Sequence, residues 1–129
     1  MKSYRVFLIS PEPQRGPLNN GRRGADDFLN RIRRAFAEGR YVVRLHARVR
    51  MRERGITDEE VFNTIMHGDV IEYYPDAEPY PACLILGFVG ERPIHVVCAL
   101  SPEGVAFLIT AYIPSPERWE PGFRRRRRT

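Results

Sequence analysis

The stretch Val61-Phe62-Asn63-Thr64-Ile65-Met66-His67-Gly68-Asp69-Val70-Ile71-Glu72-Tyr73-Tyr74 is where the chain changes period. Up to His67 its apolar residues recur at helical spacing, with Val61, Phe62, Ile65 and Met66 as the expected buried face. Gly68 closes that helix, and from Asp69 onward the pattern is strand-like. Four runs follow: Val70 to Tyr74, Ala82 to Phe88, Ile94 to Leu100 and Val105 to Ile113. Their linkers are short and rich in Pro, Gly, Asp and Glu, which implies antiparallel hairpins. Helices first and a meander afterwards predict an α+β domain. Its helices are expected on one face of a four-stranded antiparallel sheet.

Working back from the switch, Thr57-Asp58-Glu59-Glu60 reads as a capping box that starts the helix before it. Gly55 ends an arginine-rich helix that begins near Leu45. Tyr41 to Leu45 reads as a short strand, and Asp26 to Glu38 as a helix with Phe28, Ile32, Ala35 and Phe36 on its apolar stripe. Asp26-Asp27 favour that helix's start, and Gly39 its end. Residues 11 to 24 hold three prolines and three glycines and read as a flexible loop. The expected organisation is therefore an extension over residues 1–24 with a possible short strand, one domain over 25–123, and a basic tail over 124–129.

Charge is distributed unevenly. Residues 22–54 carry 11 arginines against 4 acids, and residues 55–123 carry 2 arginines against 11 acids. Arg124 to Arg128 add five positive charges, without which 16 bases balance 16 acids. A phosphate-bearing partner suits the basic half, and pairing between the two halves is the plainer alternative. The tail has no apolar residue to bury. It is expected to be disordered, to add non-specific affinity for a polyanion, and to leave the melting temperature unchanged when removed. Trp119, just before it, is expected to bury its ring against the body. Cys83 and Cys98 are too few for a disulfide framework; with His95 they make the one conceivable zinc set, a weak one. No apolar run is long enough for a membrane span and no signal peptide is recognisable, so the expected compartment is the cytoplasm.

Chemistry centres on Leu45-His46-Ala47-Arg48-Val49-Arg50-Met51-Arg52-Glu53-Arg54. His46, Arg50 and Arg54 are spaced i, i+4, i+8, which sets them along one side of a helix. Like charges in a row repel, and something anionic against them would relieve that. A merely solvated arginine face is the ordinary alternative, and Arg52 and Arg48 fit it, although Arg48 also stands within reach of a substrate held by the stripe. If Arg50 and Arg54 closed ion pairs with Glu59, Glu60 or Glu72, the stripe would be structural.

The sheet adds a second set. With Gly90-Glu91 as a two-residue turn, Cys83 faces Cys98. With the next hairpin closing on Pro102-Glu103, His95 faces Thr110, and His95, Thr110 and Tyr112 share a face. Phe107, Ile109 and Ala111 are then expected on the other. A histidine among β-branched residues is more often structural. Together, though, His46 and His95 as acid or base, Arg50 and Arg54 as phosphate ligands, and Arg48, Thr110 and Tyr112 as substrate-binding residues can cleave RNA without a metal or cofactor. A base would activate a ribose 2′-hydroxyl to attack the adjacent phosphate.

The run His46 to Ile56 resembles the opening signature of the family called domain of unknown function 4258. Gly68 to Asp76, Pro79 to Leu84, Arg92 to Val97, and Ile109 to Pro114 with Trp119 are similar to its later motifs. The resemblance implies a toxin-like partner of small zinc-ribbon or DNA-binding antitoxins. By analogy with compact ribonuclease toxins of the RelE kind, it also implies an RNA substrate, in messenger or ribosome-associated form. It marks His46, Arg50, Arg54, His95, Thr110 and Tyr112. Two other readings stay open: a non-catalytic nucleic-acid-binding module and a pure protein-interaction domain.

Overall fold

The computed structural model describes residues 18–128. The strand expected within residues 1–10 lies outside them, as does the first half of the expected loop. The elements run α1 (Leu18–Ala37), β1 (Tyr41–Val43), α2 (Leu45–Arg54), α3 (Asp58–His67), β2 (Asp69–Tyr74), β3 (Ala82–Val89), β4 (Arg92–Leu100) and β5 (Ala106–Tyr112).

The fold is α+β, but its sheet has five strands and is mixed, in the order β1-β5-β4-β3-β2. The expected meander β2 to β5 is there. The addition is β1, which pairs in parallel with β5, Tyr41 opposite Ala106 and Val43 opposite Leu108. A parallel neighbour has no turn to announce it, so hairpin reasoning alone does not place this strand.

Helix α1 runs from Leu18, eight residues before the expected start at Asp26, so residues 18–25 are helical and Asp26-Asp27 sit inside the helix. Two glycines there cost about 1 kcal/mol each in helix propensity. Contacts with the sheet offset that: the Arg22 guanidinium donates to the Val70 carbonyl at 3.0 Å, and a Cβ on Gly24 would already touch the Tyr73 ring at 3.6 Å.

The local signals around α2 and α3 are all met. Gly55 adopts φ 66° and Ile56 N–H donates to the Met51 carbonyl at 2.9 Å, closing α2. Thr57 and Glu60 form the reciprocal capping box at 2.9 and 3.0 Å. Within α3, Val61, Thr64 and Ile65 are buried, but Phe62 is 45% exposed and not part of the core.

All three helices pack on one sheet face, where Ile32, Phe36, Met51, Ile65, Val96 and Leu108 belong to a single apolar cluster. The second face carries Tyr74, Leu84, Val97 and Ala99 and is covered by the carboxy-terminal segment through Trp119. The β3–β4 register is as expected, with Cys83 opposite Cys98. These thiols are buried, and burial raises their pKa. They lie on the helix-covered face. His95 occupies the other face with Leu86 and Tyr112 opposite it, so no zinc set forms.

The β4–β5 register differs from expectation: His95 faces Tyr112, and Val97 faces Thr110. The register shifts at Val97/Cys98, and Cys98 faces Leu108, which leaves Ile109 as the extra residue of a bulge. One inserted residue inverts the alternation beyond it. Phe107 and Ile109 therefore join the second face with Tyr112 rather than opposing it.

Candidate nucleic-acid interface

The seven singled-out residues fall into two groups on different sides of the domain. His46, Arg48, Arg50 and Arg54 all lie on α2 and are exposed. Arg48 is engaged: its guanidinium donates to both Asp58 oxygens, at 2.8 and 3.1 Å. Of the acids that could close off the rest, two are taken elsewhere and Glu59 forms no ion pair with another described residue. Glu60 accepts from Arg92 at 3.3 Å, and Glu72 from Arg126 at 2.8 and 2.9 Å. Neither Arg50 nor Arg54 forms an ion pair with another described residue. Three groups with no ion pair to another described residue thus run along α2 from His46 to Arg54, about 12 Å by helical rise.

The second group sits under the carboxy-terminal strap. His95 is fully buried. Its Nε2 is 2.9 Å from the Phe123 carbonyl and its Nδ1 is 3.1 Å from the Tyr112 hydroxyl. A carbonyl only accepts, so Nε2 carries the proton and Nδ1 accepts from Tyr112. Burial pulls the His95 pKa down to about 4, partly opposed by the Phe123 carbonyl and reinforced by Arg126. The ring is neutral at physiological pH, and Trp119 meets it edge-on at 4.4 Å. In this arrangement His95 touches no substrate. Its expected catalytic place beside His46 is not where the fold puts it, because the strap closes over the strand face that carries it.

The strap itself is the largest departure from the sequence reading. Residues 118–120 and 125–127 form a short antiparallel return, with Glu120 N–H donating to the Arg125 carbonyl and Arg127 N–H to the Arg118 carbonyl, each at 2.8 Å. Gly122 and Phe123, at φ 90° and 61°, make the turn. Arg126 forks onto buried Glu72 and stacks over Trp119, its guanidinium carbon 4.9 Å from the ring centre. The Tyr74 hydroxyl donates to Glu72 as well, and Arg124 pairs with Asp69. Residues 124–128 of the expected disordered tail are placed against the body as part of the second layer, and Thr129 lies outside the described residues.

The two groups approach each other at Tyr112. Burial pushes its phenol up, while Arg126, Arg118 and Arg54 pull the other way and Glu72 adds to the rise. Arg54 thus comes near the end of β5 that holds Tyr112, half-buried, and Thr110, also half-buried, is on the same face. At the opposite end of β5, Arg44 adds a further cation, 5.1 Å over the Phe107 ring, which stacks on Tyr80.

Sequence reasoning missed Glu72, Arg126 and Arg44. Glu72 had a signal: an acid flanked by Ile71 and Tyr73 in an apolar strand needs a buried partner. Arg126 had none, being one of five identical neighbours.

Fold and surface together define a small α+β domain that presents an exposed His-Arg-Arg row on one helix, without an ion pair among the described residues. The chain belongs to the family described as a domain of unknown function, DUF4258, whose model matches residues 43–113. That span begins in β1, contains α2 whole, and stops one residue after Tyr112, before the strap. No curated protein matches the chain. No solved structure matches it either. Among the described residues, no helix is long and apolar enough to cross a membrane, and no three His, Cys, Asp or Glu residues converge as metal ligands.

Proposed function

We propose that this chain is an RNA-directed protein, the toxin of a toxin–antitoxin pair, that cleaves RNA by 2′-hydroxyl attack without a metal. One observation carries the reading. Arg50 and Arg54 remain free of ion pairs with other described residues, while Glu60 and Glu72 pair instead with Arg92 and Arg126. Guanidinium groups held that way have their donor forks available for phosphate oxygens. His46, on the same side and exposed, is the group that takes the 2′-hydroxyl proton. Arg54 stabilises the charge that grows on phosphate. Thr110 and Tyr112, at the far end of the row, supply contacts to sugar or base.

The burial of His95 favours a second reading. With one histidine sealed, acid and base duties fall to His46 alone, and a binding module without turnover needs no second histidine. Purified full chain incubated with single-stranded RNA in EDTA separates the two. Cleavage that His46→Ala abolishes supports the nuclease. Cleavage that survives in that variant removes His46 from the mechanism, and salt-dependent binding with no cleavage leaves the binding module.

A further inference from the structure

Large apolar side chains scattered singly on a surface are ordinary, but four of them here fall within nine residues. Tyr41 and Val42 on β1 are 45% and 42% exposed, and Leu45 and Val49 on α2 are 68% and 46% exposed. Leu45 and Val49 are one turn apart, roughly opposite the buried pair Ala47 and Met51, so they form a ridge on the outer side of the helix. Next to them opens a cleft of about 300 Å³ lined by Phe36, Tyr41, Phe62, Arg48 and the acids Asp58 and Glu59, of which Asp58 pairs with Arg48. β1 is the outermost strand, and among the described residues it pairs only with β5. Among the described residues nothing pairs with its other side, where an extended segment can add.

Charge selects what fits. α2 carries Arg48, Arg50, Arg52 and Arg54 against one acid, Glu53. Of these, Arg50, Arg52 and Arg54 have no ion pair with another described residue. A second copy would bring two such helices together, like against like. Residues 1–10 of this chain hold Lys2 and Arg5 and no acid, so they add to the repulsion. Nucleic acid would satisfy the arginines but leave Leu45 and Val49 with nothing to bury, since aliphatic side chains give a base no π-face to stack on.

We infer that the outer edge formed by β1 and the Leu45–Val49 ridge is a docking surface for another protein's acidic, aliphatic-anchored segment. Its apolar residues cover the ridge and cleft, and its carboxylates meet Arg50 and Arg52. A segment seated there lies one helical step from His46 and Arg50 and so masks the His-Arg-Arg row. The docking surface stands independently of the RNA reading; only the masking rests on it.

The test uses the full chain and a display library of random 16-residue peptides. Winning peptides are synthesised and their affinities measured on wild type, on the double variant Leu45→Ser/Val49→Ser, and on Phe88→Ser. Phe88 is 48% exposed outside this edge and serves as the control. The expected winners carry Asp or Glu around Leu, Ile or Val. They should bind at least tenfold more weakly to the double variant, unchanged to Phe88→Ser, and more weakly as salt rises. Circular dichroism should be the same for all three proteins. Three results overturn the proposal: a library that yields no winner, winners lacking acids, or winners indifferent to Leu45→Ser/Val49→Ser. Wild type that dimerises in sedimentation while the double variant does not overturns it too, in favour of a second copy. Competition between a winning peptide and single-stranded RNA is expected from masking. Its absence would count against the RNA reading of the row and leave the docking surface standing.

Discussion

Two arginine clusters of similar density have opposite fates in this molecule. On α2, Arg50, Arg52 and Arg54 point into solvent with no acid partner among the described residues. In the carboxy-terminal run, Arg126 is half-buried on Glu72 and Trp119, Arg124 holds Asp69, and Arg127 Nε donates to the Pro116 carbonyl at 2.6 Å. The difference does not lie in the arginines. It lies in whether the fold presents a buried carboxylate to meet them. Glu72 is 4% exposed and would be costly to leave alone, so it draws a guanidinium from the tail and orders the strap. No such acid faces the outer side of α2.

The largest effect should come from separating that pair. Arg126→Ala leaves the Glu72 carboxylate buried without its cation, and unfolding in urea should show a loss of about 3 kcal/mol. Glu72→Gln in the Arg126→Ala background should recover part of it by removing the stranded charge. Deleting residues 124–129 should lower the melting temperature in the same way, opposite to what a disordered tail would do. An unchanged melting temperature would put both arginine clusters in one class.

A comparable loss should follow acidification. The folded His95 pKa, about 4, lies below its ordinary 6.5, so between those values the unfolded chain binds the extra proton. Stability is then fully present above about pH 6.5 and falls as pH drops towards 4, by about 3 kcal/mol in total. His95→Gln should be less stable at neutral pH but show a shallower fall across that window. A slope identical to wild type would mean that His95 is not the group being titrated.

Smaller changes are expected on α2. The Arg48–Asp58 pair is exposed on both sides, so Arg48→Ala should cost less than about 1 kcal/mol, and less still at high salt. Arg50→Ala and Arg54→Ala should each change stability by no more than about 0.5 kcal/mol, since nothing described is bonded to them. A loss of about 2 kcal/mol from either, the size expected of a buried structural group, would show that the row serves the fold.

Much of this was legible in the residues. The capping box, the Gly55 stop, the Cys83–Cys98 register and the helix-then-strand order all rest on short-range rules, and all hold. What was not legible depends on contacts distant in sequence. β1 joins β5 across more than sixty residues, α1 is lengthened by its contacts with β2, and the strap is ordered by Glu72. The bulge at Ile109 is local, but isoleucine in a strand gives no sign of it; it supplies one of the two residues by which His95 moves from Thr110 to Tyr112, and the other lies at the β4–β5 turn, where Leu100 faces Ala106 rather than Val105. The candidate site divides the same way. His46, Arg50 and Arg54 share a helix and needed only its period. Placing His95 required knowing what covers the second face of the sheet.

The most direct measurement of the central contrast is the salt dependence of single-stranded RNA binding by wild type and by Arg50→Ala/Arg54→Ala. Removing one arginine–phosphate interaction should flatten the plot of log affinity against log salt by about 0.7, so the double variant's slope should be shallower by about 1.4 while its melting temperature stays that of wild type. A slope equal to that of wild type would contradict the assignment of the α2 arginines to phosphate.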